Sequence, residues 1–387
     1  MVKKTNGYFI ICKIAIAICI ALGCLPIICQ ISSPFEYLSR RKNGLFWNTK
    51  TRIHFSGTNV RGGHWEYVEA QNTSQPYIFS PNVCEASYIN KNDCVKAMTR
   101  CPSNLMSWVY FGNNNKPYPR FDVDGFRRVM KNKRIIFVGP SLIRQQVQAL
   151  VWTLGHETVD WVKTAPPKRK RYRNCAAGRR CMTDMKSNIT MCHQFLGSMA
   201  TKIYHEGNHT LDHSLRGHGD SSCLLHNKMI ADISLFDVVF VQEVSWFTSV
   251  VRTLNSTTSP SEWISNMLPQ MYYDAMSKFL SKISEKTKTV FVLGQIGADC
   301  ENKTVPEPSF DPIQIPDKYG WRLAPKLWNT ALTLIEKEGL DVQVVDVREP
   351  LMQSVHAHPS PDCLHFCMNS AAINIYLDVY WNEVFSS

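Results

Sequence analysis

The chain has 387 residues, 44% of them hydrophobic, which is enough to fill a substantial core and excludes a disordered polymer. Its formal net charge of +11 at pH 7 favours acidic partners such as anionic glycans, phospholipid headgroups or nucleic acid. Residues 8–29 are almost wholly apolar, broken only by Lys13, and they follow Lys3 and Lys4. A membrane-spanning helix needs about 20 apolar residues, and this run suffices if Lys13 snorkels toward a basic, cytosolic side. Residues 1–30 are therefore expected to form a cytosolic tip and a type II signal-anchor helix in the membrane. The alternative is a cleavable signal peptide whose apolar region is 14–29, followed by Ser32 and Ser33, giving a secreted protein. Both readings deliver the remainder to a lumen, which argues against nucleic acid.

Two further features agree with a lumenal chain. Five Asn-x-Ser/Thr sequons, candidate glycosylation sites, start at Asn72, Asn188, Asn208, Asn255 and Asn302. Outside the apolar segment lie Cys84, Cys94, Cys101, Cys175, Cys181, Cys192, Cys223, Cys300, Cys363 and Cys367, an even set of disulfide candidates. No pair of C-x-x-C knuckles points to zinc, and His205, His209, His213 and His218 match no standard ligand spacing, so no metal is expected.

Residues 31–62 are basic and aperiodic, which predicts a stem. The segment 63–125 carries three cysteines, several aromatics and turn residues without helical period, which predicts a disulfide-stapled cap. The rest, 126–387, alternates two kinds of pattern. Continuous apolar runs with β-branched residues over 134–139, 237–244, 287–294 and 342–347 predict buried parallel strands. Helical patterns fall over 141–154, 260–286, 325–338 and 369–384. The alternation predicts an α/β sandwich with a mainly parallel sheet, interrupted by a long insertion over about 156–235. Within that insertion, Lys168, Arg169, Lys170, Arg171, Arg173, Arg179 and Arg180 form a basic run. It reads as a solvated loop, a polyanion-binding loop or a processing site.

In open α/β sheets, ligands bind where the strands end. After the first predicted strand comes Gly139-Pro140-Ser141, which sets a hydroxyl at the start of a helix whose free amides suit an oxyanion. An N-cap serine has the same signature. Near the end, Asp362-Cys363-Leu364-His365-Phe366-Cys367 places Asp and His three apart, where a carboxylate can orient an imidazole as general base. The bland alternative is a loop histidine beside disulfide cysteines. Arg144, one turn beyond Ser141, suits a carbonyl, an acidic sugar or a surface salt bridge. Trp246, with Phe247 and Trp321, suits sugar stacking or core packing.

Taken together these residues resemble the trichome-birefringence-like family and its wider PC-esterase relatives, which carry a GDS motif after the first strand and D-C-x-H-W-C at the end. Gly63-His64-Trp65, Cys84, Cys94, Trp108, Pro119-Arg120-Phe121-Asp122, His358-Pro359-Ser360 and Trp381-Asn382-Glu383 extend the likeness over roughly 63–386. The resemblance implies an SGNH/GDSL-esterase-like three-layer sandwich. It further implies a Golgi-lumenal enzyme that moves acetyl groups onto polysaccharide hydroxyls through an acyl-serine. Ser141 would be nucleophile, His365 base and Asp362 its orienter, with the Ser141 amide and Gln242 as oxyanion donors and Arg144 and Trp246 as substrate-binding candidates. No tightly bound cofactor is implied; an acetyl donor is co-substrate, and a glycan, acidic if the basic charge is a guide, is acceptor. The sequence departs from the pattern at Pro140, where the family has Asp, at Phe366, where it has Trp, and at Gln242, where it has Asn. An acetyl esterase with the same three residues, and a catalytically silent glycan-binding protein, are the alternatives.

Overall fold

An unbroken apolar strand must be buried from both faces, and the central strands are built that way. The computed structural model describes residues 55–56, 62–68, 101, 108–155, 159–162, 179–195, 227–244, 268–294, 321–359, 362–368 and 370–386, all within the unit Lys50–Ser387. Its strands are β1 (Phe55–Ser56), β2 (His64–Tyr67), β3 (Trp108–Phe111), β4 (Arg134–Gly139), β5 (Val159–Val162), β6 (Arg179–Asp184), β7 (Ile189–Phe195), β8 (Val238–Val241), β9 (Lys288–Leu293) and β10 (Val342–Asp346). Its helices are α1 (Val123–Val129), α2 (Ser141–Thr153), α3 (Asn227–Ile233), α4 (Leu268–Ser284), α5 (Ala324–Glu338), α6 (Arg348–Gln353) and α7 (Ala371–Tyr380), the last continued by a π-helical turn, Trp381–Phe385.

Strand order in the main sheet is β1-β10-β9-β8-β4-β7-β6-β5. From β1 across to β7 every neighbouring pair is parallel, and β6 and β5 complete the far edge in antiparallel fashion. Because successive side chains point to opposite faces, each central strand serves two cores. Ile135, Phe137, Phe240 and Val292 pack with α2 and α7. Ile136, Val138, Val241 and Leu293 pack with α4 and α5 on the other face. Helix, sheet and helix thus form three layers. Register makes the first face aromatic, since Phe137 lies opposite Phe240 with the rings stacked at 4.8 Å.

The four predicted strands and four predicted helices are all present, with trimmed ends. The helix expected over 260–286 is described from Leu268; α5 stops at Gly339, whose φ of 62° is the left-handed conformation that ends helices.

The expected insertion is a correction. Within 156–235 lie β5, β6, β7 and α3, and β7 pairs along its length with β4. The reason is compositional. Arg179–Asp184 and Ile189–Phe195 mix cysteine, threonine, histidine and charge into the apolar pattern, so neither shows a continuous run. A disulfide between Cys181 and Cys192, directly opposite in register, ties that hairpin.

Two other boundaries shift. Phe55–Ser56, in the expected stem, pairs with Val344 and Val345. The expected cap boundary at 126 falls inside α1, whose N-cap is Asp122 accepting from the Gly125 amide at 2.9 Å. Trp65, Tyr110 and Phe121 belong to the same core as α2 and α7, so the described part of this segment packs into the body. Cys101 is bonded to Cys367, a staple between the expected cap and the chain's distal end. The expected anchor at 8–29 lies outside the described residues; among those described, no helix is long and apolar enough to cross a membrane.

Candidate active site

The site grows from the turn between β4 and α2. Gly139 has φ 153°, and a Cβ there would overlap the carbonyl of Gln242 on the neighbouring strand end, so the close backbone approach requires glycine. Pro140 follows as the N-cap of α2 with no side-chain hydrogen bond, and the helix begins at Ser141. Proline suits this place because a first-turn amide has no helical partner to lose. With proline at 140, the N-cap side chain makes no hydrogen bond to the first amides of α2.

Ser141 meets the D-x-x-H turn there. Its Oγ lies 2.6 Å from Nε2 of His365, and Nδ1 of His365 lies 2.7 Å from Oδ2 of Asp362. The other carboxylate oxygen, Oδ1, accepts from the backbone amides of Leu364 at 3.0 Å and His365 at 3.2 Å. Burial pushes the Asp362 carboxyl up, but hydrogen bonding and charge from His365 together with the two amides outweigh it, and the group ends at about 2. An ionised carboxylate only accepts. In the neutral imidazole the proton therefore sits on Nδ1, and Nε2 accepts from the serine hydroxyl. The His365 and Asp362 side chains are 29% and 45% exposed, so the hydrogen-bonded row is reachable from solvent.

Around it are imidazoles of a different character. Burial holds His358 down at about 4 and His193 at about 3, the latter helped by the charge of Arg144. Both are neutral scaffolding. His358 places Nδ1 2.8 Å from the carbonyl of His365, and His193 places Nε2 3.3 Å from the carbonyl of Gly139.

Gln242, expected as an oxyanion donor, is held through its side-chain oxygen. Its Oε1 accepts from Nε2 of Gln146 at 2.6 Å, and Oε1 of Gln146 accepts from the Tyr380 hydroxyl at 2.6 Å. The Gln242 amide nitrogen lies against Gly294, where a Cβ would overlap it. The longer side chain carries the amide group down into this buried row at the sheet's end. Arg144 stands half-buried on α2, near enough to His193 for its charge to be felt. Asn188 is exposed at the β6–β7 turn with its Nδ2 3.1 Å from Oδ1 of Asn132.

Cys101, Cys181, Cys192 and Cys367 are paired as described, and Cys363 is also disulfide-bonded. Trp246, Asn72, Asn208, Asn255, Asn302, Cys84, Cys94, Cys175, Cys223, Cys300, the basic run 168–173 and the four histidines from 205 to 218 lie outside the described residues. Among the described residues no three His, Cys, Asp or Glu side chains form a group able to hold a metal ion. Sequence reasoning gave no role to Gln145, Gln146, His358 or Tyr380. Gln145 was the most accessible of these, being four residues from Ser141 and so on the same helix face.

A mostly parallel α/β sheet with serine behind β4 and a D-x-x-H turn before α7 defines an esterase-type fold of the GDSL/SGNH class. The chain belongs to the PC-Esterase family, the GDSL/SGNH-like acyl-esterase family found in Pmr5 and Cas1p, whose model matches residues 118–372. Acyl-ester chemistry is therefore its class of reaction. No curated protein sequence is significantly similar to the chain. Among solved structures, a peptidoglycan O-acetylesterase is similar at 9% identity over 70% of this chain and 99% of its own, with a TM-score of 0.37. A small COPII coat GTPase SAR1 from Encephalitozoon cuniculi is similar at 12% identity over 68% and 84%, with a TM-score of 0.29. At these scores neither likeness bears on the chemistry of the chain.

Proposed function

We propose that the chain is a serine-dependent O-acetyltransferase that moves acetyl groups onto polysaccharide hydroxyls, with Ser141 as nucleophile, His365 as base and Asp362 as its orienter. The observation that carries the reading is the continuous row from Ser141 Oγ to His365 Nε2, at 2.6 Å, and from His365 Nδ1 to Asp362 Oδ2, at 2.7 Å. In the first step Oγ attacks the acetyl carbonyl of the donor and passes its proton to Nε2. The tetrahedral intermediate collapses as Nε2 returns that proton to the leaving group. In the second step a sugar hydroxyl replaces the donor, loses its proton to Nε2 and attacks the acetyl carbonyl; the bond to Oγ then breaks as Nε2 returns the proton to Ser141.

Negative charge on the carbonyl oxygen needs fixed donors. The Ser141 amide and its neighbours at the start of α2 supply them, with the positive end of the helix dipole behind. Gln242, whose Oε1 accepts from Gln146, is the second candidate donor through its Nε2.

The apolar run 8–29, the sequons and the disulfides support a Golgi membrane protein of type II topology with this domain lumenal. The net charge of +11 supports an acidic glycan as acceptor. The test is turnover of a small activated acetyl ester by the full chain and its Ser141→Ala variant, with and without mixed glycan acceptors. Turnover that is lost in the variant and diverted from water to sugar supports a transferase. Turnover indifferent to acceptor supports an acetyl esterase, and no turnover sinks both in favour of glycan binding alone.

A further inference from the structure

We infer that Gln145 is a positioning residue for the base: its carboxamide fastens the His365 turn to the helix that carries Ser141 and thereby sets the distance between hydroxyl and imidazole. This rests on the acyl-transfer reading above. Ser141 and Gln145 are four apart on α2, so they share one face of a rigid element. From that face, Nε2 of Gln145 donates to the carbonyl of Phe366 at 2.8 Å and Oε1 accepts from the amide of Phe366 at 3.1 Å. Both bonds are buried, as are Gln145 and Phe366 themselves. A two-point amide pairing fixes direction as well as distance, as one rung of a β-ladder does.

The next residue toward the N-terminus is His365. Its carbonyl is held by His358 Nδ1 at 2.8 Å, and the His358 ring packs on the Phe366 ring at 4.5 Å. His358, His365 and Phe366 therefore close a ring of contacts, and Gln145 fastens that ring to α2 at Phe366. Beyond Phe366, the Cys367 amide donates to the Ala357 carbonyl at 2.7 Å, and Gln145 Nε2 also lies 3.5 Å from Sδ of Met368, so the turn meets this residue of α2 at Phe366 and Met368. Only glutamine fits. Asparagine is one methylene too short to reach from the helix, and glutamate has no N–H for the carbonyl.

The experiment compares the full-length wild type with Gln145→Ala and Gln145→Glu in turnover of a small activated acetyl ester, together with the low-field proton resonance of His365 Nδ1–H. For Gln145→Ala, kcat falls about 10- to 100-fold with KM unchanged, the effect of sub-ångström to ångström misplacement, and the low-field resonance is lost. For Gln145→Glu, activity relative to wild type rises as pH falls from 8 to 5, because the introduced carboxyl takes up a proton and regains the donor for Phe366. A residue that merely stabilised the fold gives no such pH-dependent ratio.

Wild-type kcat and an unshifted resonance in Gln145→Ala overturn the inference while leaving the acyl-transfer reading intact. If wild type itself shows no turnover, that reading fails instead. The resonance then decides the positioning claim alone, and its persistence in Gln145→Ala overturns it. Gln145→Glu preserves volume and keeps the test open should Gln145→Ala fold poorly.

Discussion

Asp362 divides its labour, one oxygen shaping the turn and the other holding the imidazole. Asp362→Asn keeps an acceptor for the turn amides but presents an NH2 to Nδ1, which drives the ring into the tautomer with its proton on Nε2. The expected loss in kcat for acetyl-ester turnover is about 10³- to 10⁴-fold, by analogy with the same change in serine proteases, with the folded circular-dichroism spectrum retained. Gly139 is the second sensitive residue. Gly139→Ala forces a Cβ onto the Gln242 carbonyl, which is backbone and cannot swing away. A destabilisation of about 2 kcal/mol or more in urea unfolding is expected. At this scale the sequence pointed to Ser141, Asp362 and His365, because strand-Gly-x-Ser-helix and D-x-x-H each imply a chemistry, and the fold brings the three within hydrogen-bonding distance of one another. It hid Gln145 and Gln146, since glutamine in a helix is ordinarily a solvent-facing helix former. Nothing in composition marks a glutamine that bonds a backbone 221 residues away.

Elements that bury themselves on both faces announce themselves, and β4, β8, β9 and β10 were legible for that reason. Strand β7 was not. Its partners are a buried parallel strand on one side and a half-polar antiparallel one on the other, so its sequence averages two environments and obeys neither pattern. The pairing of α2 with α7 was likewise invisible, although Phe137, Phe240 and Tyr380 show how closely that layer is filled, with Phe240 and Tyr380 rings 4.5 Å apart. Phe240→Ala should cost about 3–5 kcal/mol in the same unfolding experiment. The staple between Cys101 and Cys367 closes a span of 266 residues beside the His365 turn. Replacing both cysteines with alanine is expected to cost about 2–5 kcal/mol of stability. Mild reduction of the wild type should lower ester turnover as the turn is released.

For the molecule as a whole, acidity is the informative variable. His193, His356 and His358 are held well below 6.5 by burial, at about 3, 4 and 4. Unfolded, they take up protons below about 6.5; folded, they resist until much lower pH, so stability falls as pH drops through that window. Asp378 opposes them. Burial raises it to about 6 despite Arg120, so the folded state binds this proton before the unfolded chain does and gains as pH falls from 6 toward 3.8. Glu243, raised by burial well above the usual carboxylate range, acts in the same direction as Asp378; three imidazoles still outweigh two carboxyls, and the melting temperature is expected to be lower at pH 4.5 than at pH 7 in calorimetry. None of this was readable from 12 histidines in a sequence, because burial decides which of them resist charging. The separation of the hydroxyl from its imidazole has a last consequence. Ser141 and His365 lie 224 residues apart. A ribosome adding about 5–20 residues per second therefore exposes the serine some 10–45 s before its proton acceptor has been made, and throughout translation the nascent protein carries an idle alcohol.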